Sequence, residues 1–67
     1  MNYFIKYNDS KNNTRWDKRI NANEIKIENN CFLFLKYISS ADPNYVYKEI
    51  ITDIIPIVSV KSIETSI

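Results

Sequence analysis

Near the N-terminus, Tyr3, Ile5 and Tyr7 are spaced two apart and alternate with Phe4 and Lys6. That period predicts a strand with one face buried. Residues 8–14, NDSKNNT, are dense in turn formers and separate it from a second extended segment. In that segment Thr14, Trp16 and Ile20 are expected to share one face, interrupted by Lys18. Arg15, Asp17 and Arg19 take the other.

The sharpest local pattern is EIKIE-NN-CFLFLKY, residues 24–37. Asn tolerates positive φ, so Asn29-Asn30 predicts the two-residue type I′ turn of a hairpin. In that register Ile27 faces Phe32 and Ile25 faces Phe34, and the four are expected to gather in the core. Glu24, Lys26 and Glu28 fall on the opposite, solvated side. A slip of one residue would mix the two faces, so the pattern specifies its own pairing. The second strand also carries Cys31, Leu33 and Leu35 on its other face. Apolar on both sides, it is expected to be central or to lie in a strongly curved sheet.

Residues 42–56, DPNYVYKEIITDIIP, fit two elements. As a helix over about 43–55, with Asp42 as cap and Pro43 at its first position, they would bury Val46, Tyr47, Ile50, Ile51, Ile54 and Ile55 on one half. Against a helix, EIITDII is rich in β-branched residues, which favour strand. Pro56 ends either element, and residues 58–67 again have a strand's period. The phrases IIPIVSVKSIE (54–64) and INANEIKIENNCFLFLKY (20–37) resemble the strands of small β-rich proteins from low-GC bacteria and their phages. That resemblance covers about half of the chain and implies strand rather than helix before Pro56. The expected fold is therefore mainly β: one domain over residues 1–67, a small antiparallel meander sheet or barrel of five to six strands. An α+β fold with the 43–55 helix is the alternative.

Composition narrows the chemistry. The chain has no histidine, no glycine and one cysteine. Without histidine there is no Ser-His or Cys-His pair and no imidazole base. Without glycine there is no phosphate-cradling loop or dinucleotide fingerprint, and one cysteine cannot assemble a zinc site. Cys31 reads as a small buried hydrophobe, while Asp42 and Asp53 read as cap and surface. The protein is expected not to be an enzyme and to need no cofactor or metal. The missing glycine and the abundance of Ile, Asn, Lys and Tyr also match AT-rich codons, as in a low-GC bacterium, its phage or a mobile element.

Net charge is +1, which points to no nucleic acid, membrane or acidic partner. The first residues contain no apolar run of signal-peptide length, and no apolar run anywhere would span a bilayer. A cytoplasmic protein is expected, in the host cytoplasm if phage-encoded. A domain this small buries only about 60% of its unfolded surface, so a homo-oligomer is expected. The last strand, with Lys61 and Glu64 as its charges and no proline after Pro56, is a weakly protected edge for it.

Aromatics are numerous: five Tyr, three Phe and one Trp. The candidate binding residues are Arg15, Trp16, Lys18 and Arg19, because Trp and Arg are favoured as interface anchors. Trp16 as a core residue of the sheet is the plainer alternative. Three functions follow. The leading one is a non-enzymatic module acting through protein–protein interaction, such as a phage or mobile-element inhibitor of a host factor. The second is a small-barrel nucleic-acid binder, disfavoured by the balanced charge. The third is an oligomer that sequesters an anionic small molecule, with Arg15, Lys18 and Arg19 as contacts.

Overall fold

A computed structural model describes residues 1–11, 13–39, 41, 43–44 and 47–66. Among them the chain forms β1 (Asn2–Tyr7), β2 (Lys18–Asn21), β3 (Glu24–Glu28), β4 (Cys31–Ser39), β5 (Tyr47–Pro56), a single 3-10 turn (Ile57–Ser59) and β6 (Val60–Ser66). The fold is mainly β, as the alternation predicts. The chain is strand over Tyr47–Pro56, so β-branching prevails over the helical reading. Tyr45, Val46 and the expected cap Asp42 lie outside the described residues.

The strands make two antiparallel three-stranded sheets, ordered β2-β1-β6 and β3-β4-β5. The β3–β4 hairpin has the expected register, with Ile25 opposite Phe34 and Ile27 opposite Phe32. Asn29 and Asn30 have φ of 51° and 59°, the left-handed pair a type I′ turn requires. Asparagine provides here what glycine more often does, because its short polar side chain tolerates that region.

Two corners carry the chain between sheets. At the first, Ala22 N–H donates to Met1 O (3.0 Å) in one sheet and Asn23 N–H donates to Leu35 O (2.7 Å) in the other. At the second, Pro56 ends β5, and Ile57 N–H donates to Asn30 O (3.0 Å) while Asn8 N–H donates to Ser59 O (2.9 Å). Strands that switch sheets at such corners let two small sheets share one core.

That core consists of Tyr3, Ile5, Ile20 and Ala22 from the first sheet or its corner, and Phe34 and Ile55 from the second. Tyr3 meets Phe34 edge-on, with ring centroids 5.6 Å apart. Ile25 and Phe32 pack against it half-buried. Ile27 does not join them: it is 69% exposed. The register is as expected, but Ile27 is on the edge strand β3: at the same level Phe32 of β4 is half-buried and Ile55 of β5 is buried, so the cover fades across the sheet towards β3. β4 and β5, with 9 and 10 residues, outrun β1, with 6. At about 3.3 Å per residue they extend well past their cover.

The overrun sets the shape. The radius of gyration is 14.0 Å and the extents are 47 × 26 × 13 Å. A compact domain of this length has a radius of gyration of about 11 Å.

Candidate functional site

Phe4 is out of phase on β1. Its neighbours Tyr3 and Ile5 point into the core, so Phe4 lies on the outer face of β2-β1-β6, opposite Arg19 on β2 and Glu64 on β6. A large apolar side chain on a strand's polar side invites a cover, and the loop between β1 and β2 provides one. Trp16 lies on Phe4 with ring centroids 5.1 Å apart and planes tilted by 46°. The other side of the indole faces solvent, at 41% exposure.

Asp17 holds that loop in place. Its carboxylate accepts hydrogen bonds from Tyr7 N–H (2.9 Å) and the Ser10 hydroxyl (2.7 Å), and lies 4.0 Å from Lys6 Nζ. Its own N–H donates to Ile5 O (2.8 Å). Lys6 Nζ also donates to Thr14 O (2.6 Å), and the Thr14 hydroxyl donates to Trp16 O (3.0 Å). These bonds replace the expected extended segment: the chain bends through Thr14–Asp17 and is strand only from Lys18. Trp16 therefore does not share a strand face with Ile20, and it is neither a core residue nor free of contacts.

Arg15 reaches the same face and grips Glu64 with two nitrogens, at 3.2 Å and 3.5 Å. Phe4, Arg15, Trp16, Glu64, Thr65 and Ser66 line a shallow depression of about 290 Å³. Arg19 is exposed on this face beside Phe4 and, among the described residues, makes no ion pair. The structure thus brings together Arg15, Trp16 and Arg19, and adds Phe4 and Glu64.

Lys18 does not belong with them. It pairs with Ile5, on the core side of β2, and its ammonium lies 2.9 Å from Asp53 on β5. The hydrogen bond to Asp53 raises the Lys18 pKa above its usual value. Lys18 and Asp53 therefore tie one sheet to the other, and Asp53 is not the plain surface residue expected. The sequence shows each as an isolated charge; only the packing of the sheets pairs them.

On the second sheet, Cys31 is half-buried rather than buried. Glu24, expected in solvent, accepts a hydrogen bond from the Tyr37 hydroxyl, and the Tyr37 ring meets Tyr47 at 4.9 Å. Among the described residues no group of three or more His, Cys, Asp or Glu side chains could hold a metal ion, and no helix is long and apolar enough to cross a membrane. No protein-family model, curated protein or solved structure matches the chain.

Proposed function

We propose that the protein is a non-enzymatic binding module that recognises another protein through the outer face of β2-β1-β6, with Trp16 as the anchor. The observation carrying this reading is the half-exposed indole, fixed against Phe4 by a loop with its own hydrogen-bond network. A pre-positioned aromatic loses little side-chain freedom on binding, and Trp flanked by Arg is the composition of an interface hot spot. The cations on this side favour a protein over nucleic acid. Arg15 is matched by Glu64, Lys6 lies beside Asp17, and Lys18 is turned to Asp53. Few are left to neutralise phosphates, on which non-specific nucleic-acid affinity depends. The same pairing disfavours a site for a small anion built from Arg15, Lys18 and Arg19. The resemblance to small β-rich proteins of low-GC bacteria and phages suggests the finer form of the proposal: a cytoplasmic inhibitor that docks on a host factor.

The test is affinity capture from cells of a low-GC bacterial host, with the partner identified by mass spectrometry and its binding measured for the wild type and Trp16→Ala. Loss of the anchor should weaken binding by about 2 kcal/mol or more, roughly 30-fold. Trp16 lies outside the core, so the variant should fold. An unchanged affinity would remove Trp16 from the interface. Sub-micromolar binding to a single-stranded oligonucleotide at physiological salt, lost in Trp16→Ala, would put nucleic acid first.

A further inference from the structure

β4 is central in its sheet and apolar on both faces. Strands of that kind occur where both faces are covered. One cover is the sheet β2-β1-β6, packed over Phe32 and Phe34. On the other face, Cys31 and Leu33 are half-buried alongside β5, with Leu33 opposite Ile54; Leu35, opposite Ile51, is itself fully buried. Ile54 is 61% exposed and Ile51 is 51% exposed. Cys31, Leu33, Ile51 and Ile54, with Glu28 and Asn29 at the end, line a depression of about 260 Å³. The third row on this face is charged: Glu24, Lys26 and Glu28 of β3. An apolar centre with a polar margin is the anatomy of a protein interface.

We infer that this face of β3-β4-β5 is the contact between two copies of the chain, packed sheet against sheet about a two-fold axis. The surface area points to a second copy. The chain exposes 5154 Å², whereas a folded monomer of 8.0 kDa is expected to expose about 4,450 Å². The surplus of about 700 Å² is close to the roughly 800 Å² that each partner buries in a standard interface. A two-fold contact needs a self-complementary patch; here Lys26 of β3 reaches across β4 to Glu49 of β5 at 3.8 Å, which leaves the apolar patch of Cys31, Leu33, Ile51 and Ile54 beside that pair. Pairing along the open edge of β5, which borders this face, is hindered. That edge carries Lys48, a bulge at Thr52 and Pro56 at its end, all of which hinder edge pairing. A domain this small with a single cysteine has no disulfide of its own, and association is the remaining common route to sufficient burial.

The interface is separate from the Trp16 face, so the two proposals fail independently. Sedimentation equilibrium at high micromolar concentration should give twice the chain mass of 8.0 kDa. Ile51→Lys and Ile54→Lys alter exposed side chains, so both should keep the wild-type circular dichroism and a cooperative melt. Each should weaken dimerisation by roughly tenfold or more, about 1.4 kcal/mol, while Trp16→Ala stays dimeric. A wild type that remains at the single-chain mass overturns the inference. So does a dimer unchanged by both folded lysine variants, which would place the contact elsewhere, for example along β6. Dissociation by Trp16→Ala would overturn it as well.

Discussion

The two central strands, β1 and β4, pose the same physical problem and meet it differently. Each turns one row of side chains into the shared core and has apolar residues left over on its outer face. On β1 the remainder is one residue, Phe4, and the chain covers it with its own loop and Trp16. On β4 it is Cys31, Leu33 and Leu35; Leu35 is buried, but Cys31 and Leu33 stay half-buried and continue into Ile51 and Ile54 of β5, which are more than half exposed. An out-of-phase apolar residue on a strand is thus a request for a cover. The cover can come from a neighbouring loop when the remainder is small. A whole row needs another layer.

The hardest test of this comparison is whether the inner rows form one core. Phe34 is fully buried between the sheets, whereas Ile27, in the same row near the hairpin tip, is largely exposed. Phe34→Ala should cost about 3–5 kcal/mol, enough to unfold so small a domain. Ile27→Ala should stay within about 0.5 kcal/mol of the wild type. Urea or thermal denaturation followed by circular dichroism separates them. A Phe34→Ala melt within a few degrees of wild type would mean that the sheets do not depend on each other.

The contrast between Phe34 and Ile27 also marks what the sequence could reveal. The Asn29-Asn30 turn, the pairing of Ile25 with Phe34 and the two-sided character of β4 follow from neighbouring residues, because a strand's period and a two-residue turn fix register locally. How far the opposite sheet reaches across to the edge strand β3 is set by the packing of the two sheets, so the local pattern puts Ile27 on the right face but not at the right depth. The same limit applies at the candidate site. Trp16 and its arginines stand out by residue type; Phe4 is not among the expected site residues, although its place out of phase with Tyr3 and Ile5 is a local signal for it. Glu64, which joins them, comes from β6 at the far end of the chain, and no local pattern ties it to Arg15. Asp17 alternates as a strand residue would. Its carboxylate instead serves the end of β1, and that hydrogen-bonding choice turns an expected strand into a loop.

Asp17 gives the next largest effect and tests whether the cover over β1 depends on its anchor. Its side chain is mostly buried and accepts from Tyr7 N–H and the Ser10 hydroxyl. Removing an ionised acceptor from such donors typically costs about 1.5–3 kcal/mol. Asp17→Ala should lose that much stability and shift the Trp16 fluorescence to the red as the indole leaves Phe4. Asp17→Asn, which keeps one acceptor oxygen, should fall between the two. Unchanged emission in Asp17→Ala would show that the stack on Phe4 holds without the loop's hydrogen bonds.

The smallest effect belongs to the uncovered side, where Tyr37 donates its hydroxyl to Glu24 beside the exposed row of β5. That hydrogen bond is the largest cause pushing the Tyr37 pKa from 10.0 up to about 12. A phenol that must keep its proton to donate is harder to ionise in the fold than in the unfolded chain. Between pH 10 and about 12 the native state therefore holds a proton that the unfolded state has released, so stability falls as pH rises through that window and is fully present below it. Lys18, whose pKa is raised by its hydrogen bond to Asp53, acts in the same direction. An alkaline titration followed by tyrosinate absorbance separates the two, because only tyrosine contributes to the signal. A component ionising near pH 12 is expected in the wild type, and it should be missing from Tyr37→Phe. The variant should lose the part of the alkaline destabilisation that comes from Tyr37 and keep the part that comes from Lys18. A late component that survives in Tyr37→Phe would place the constrained phenol elsewhere.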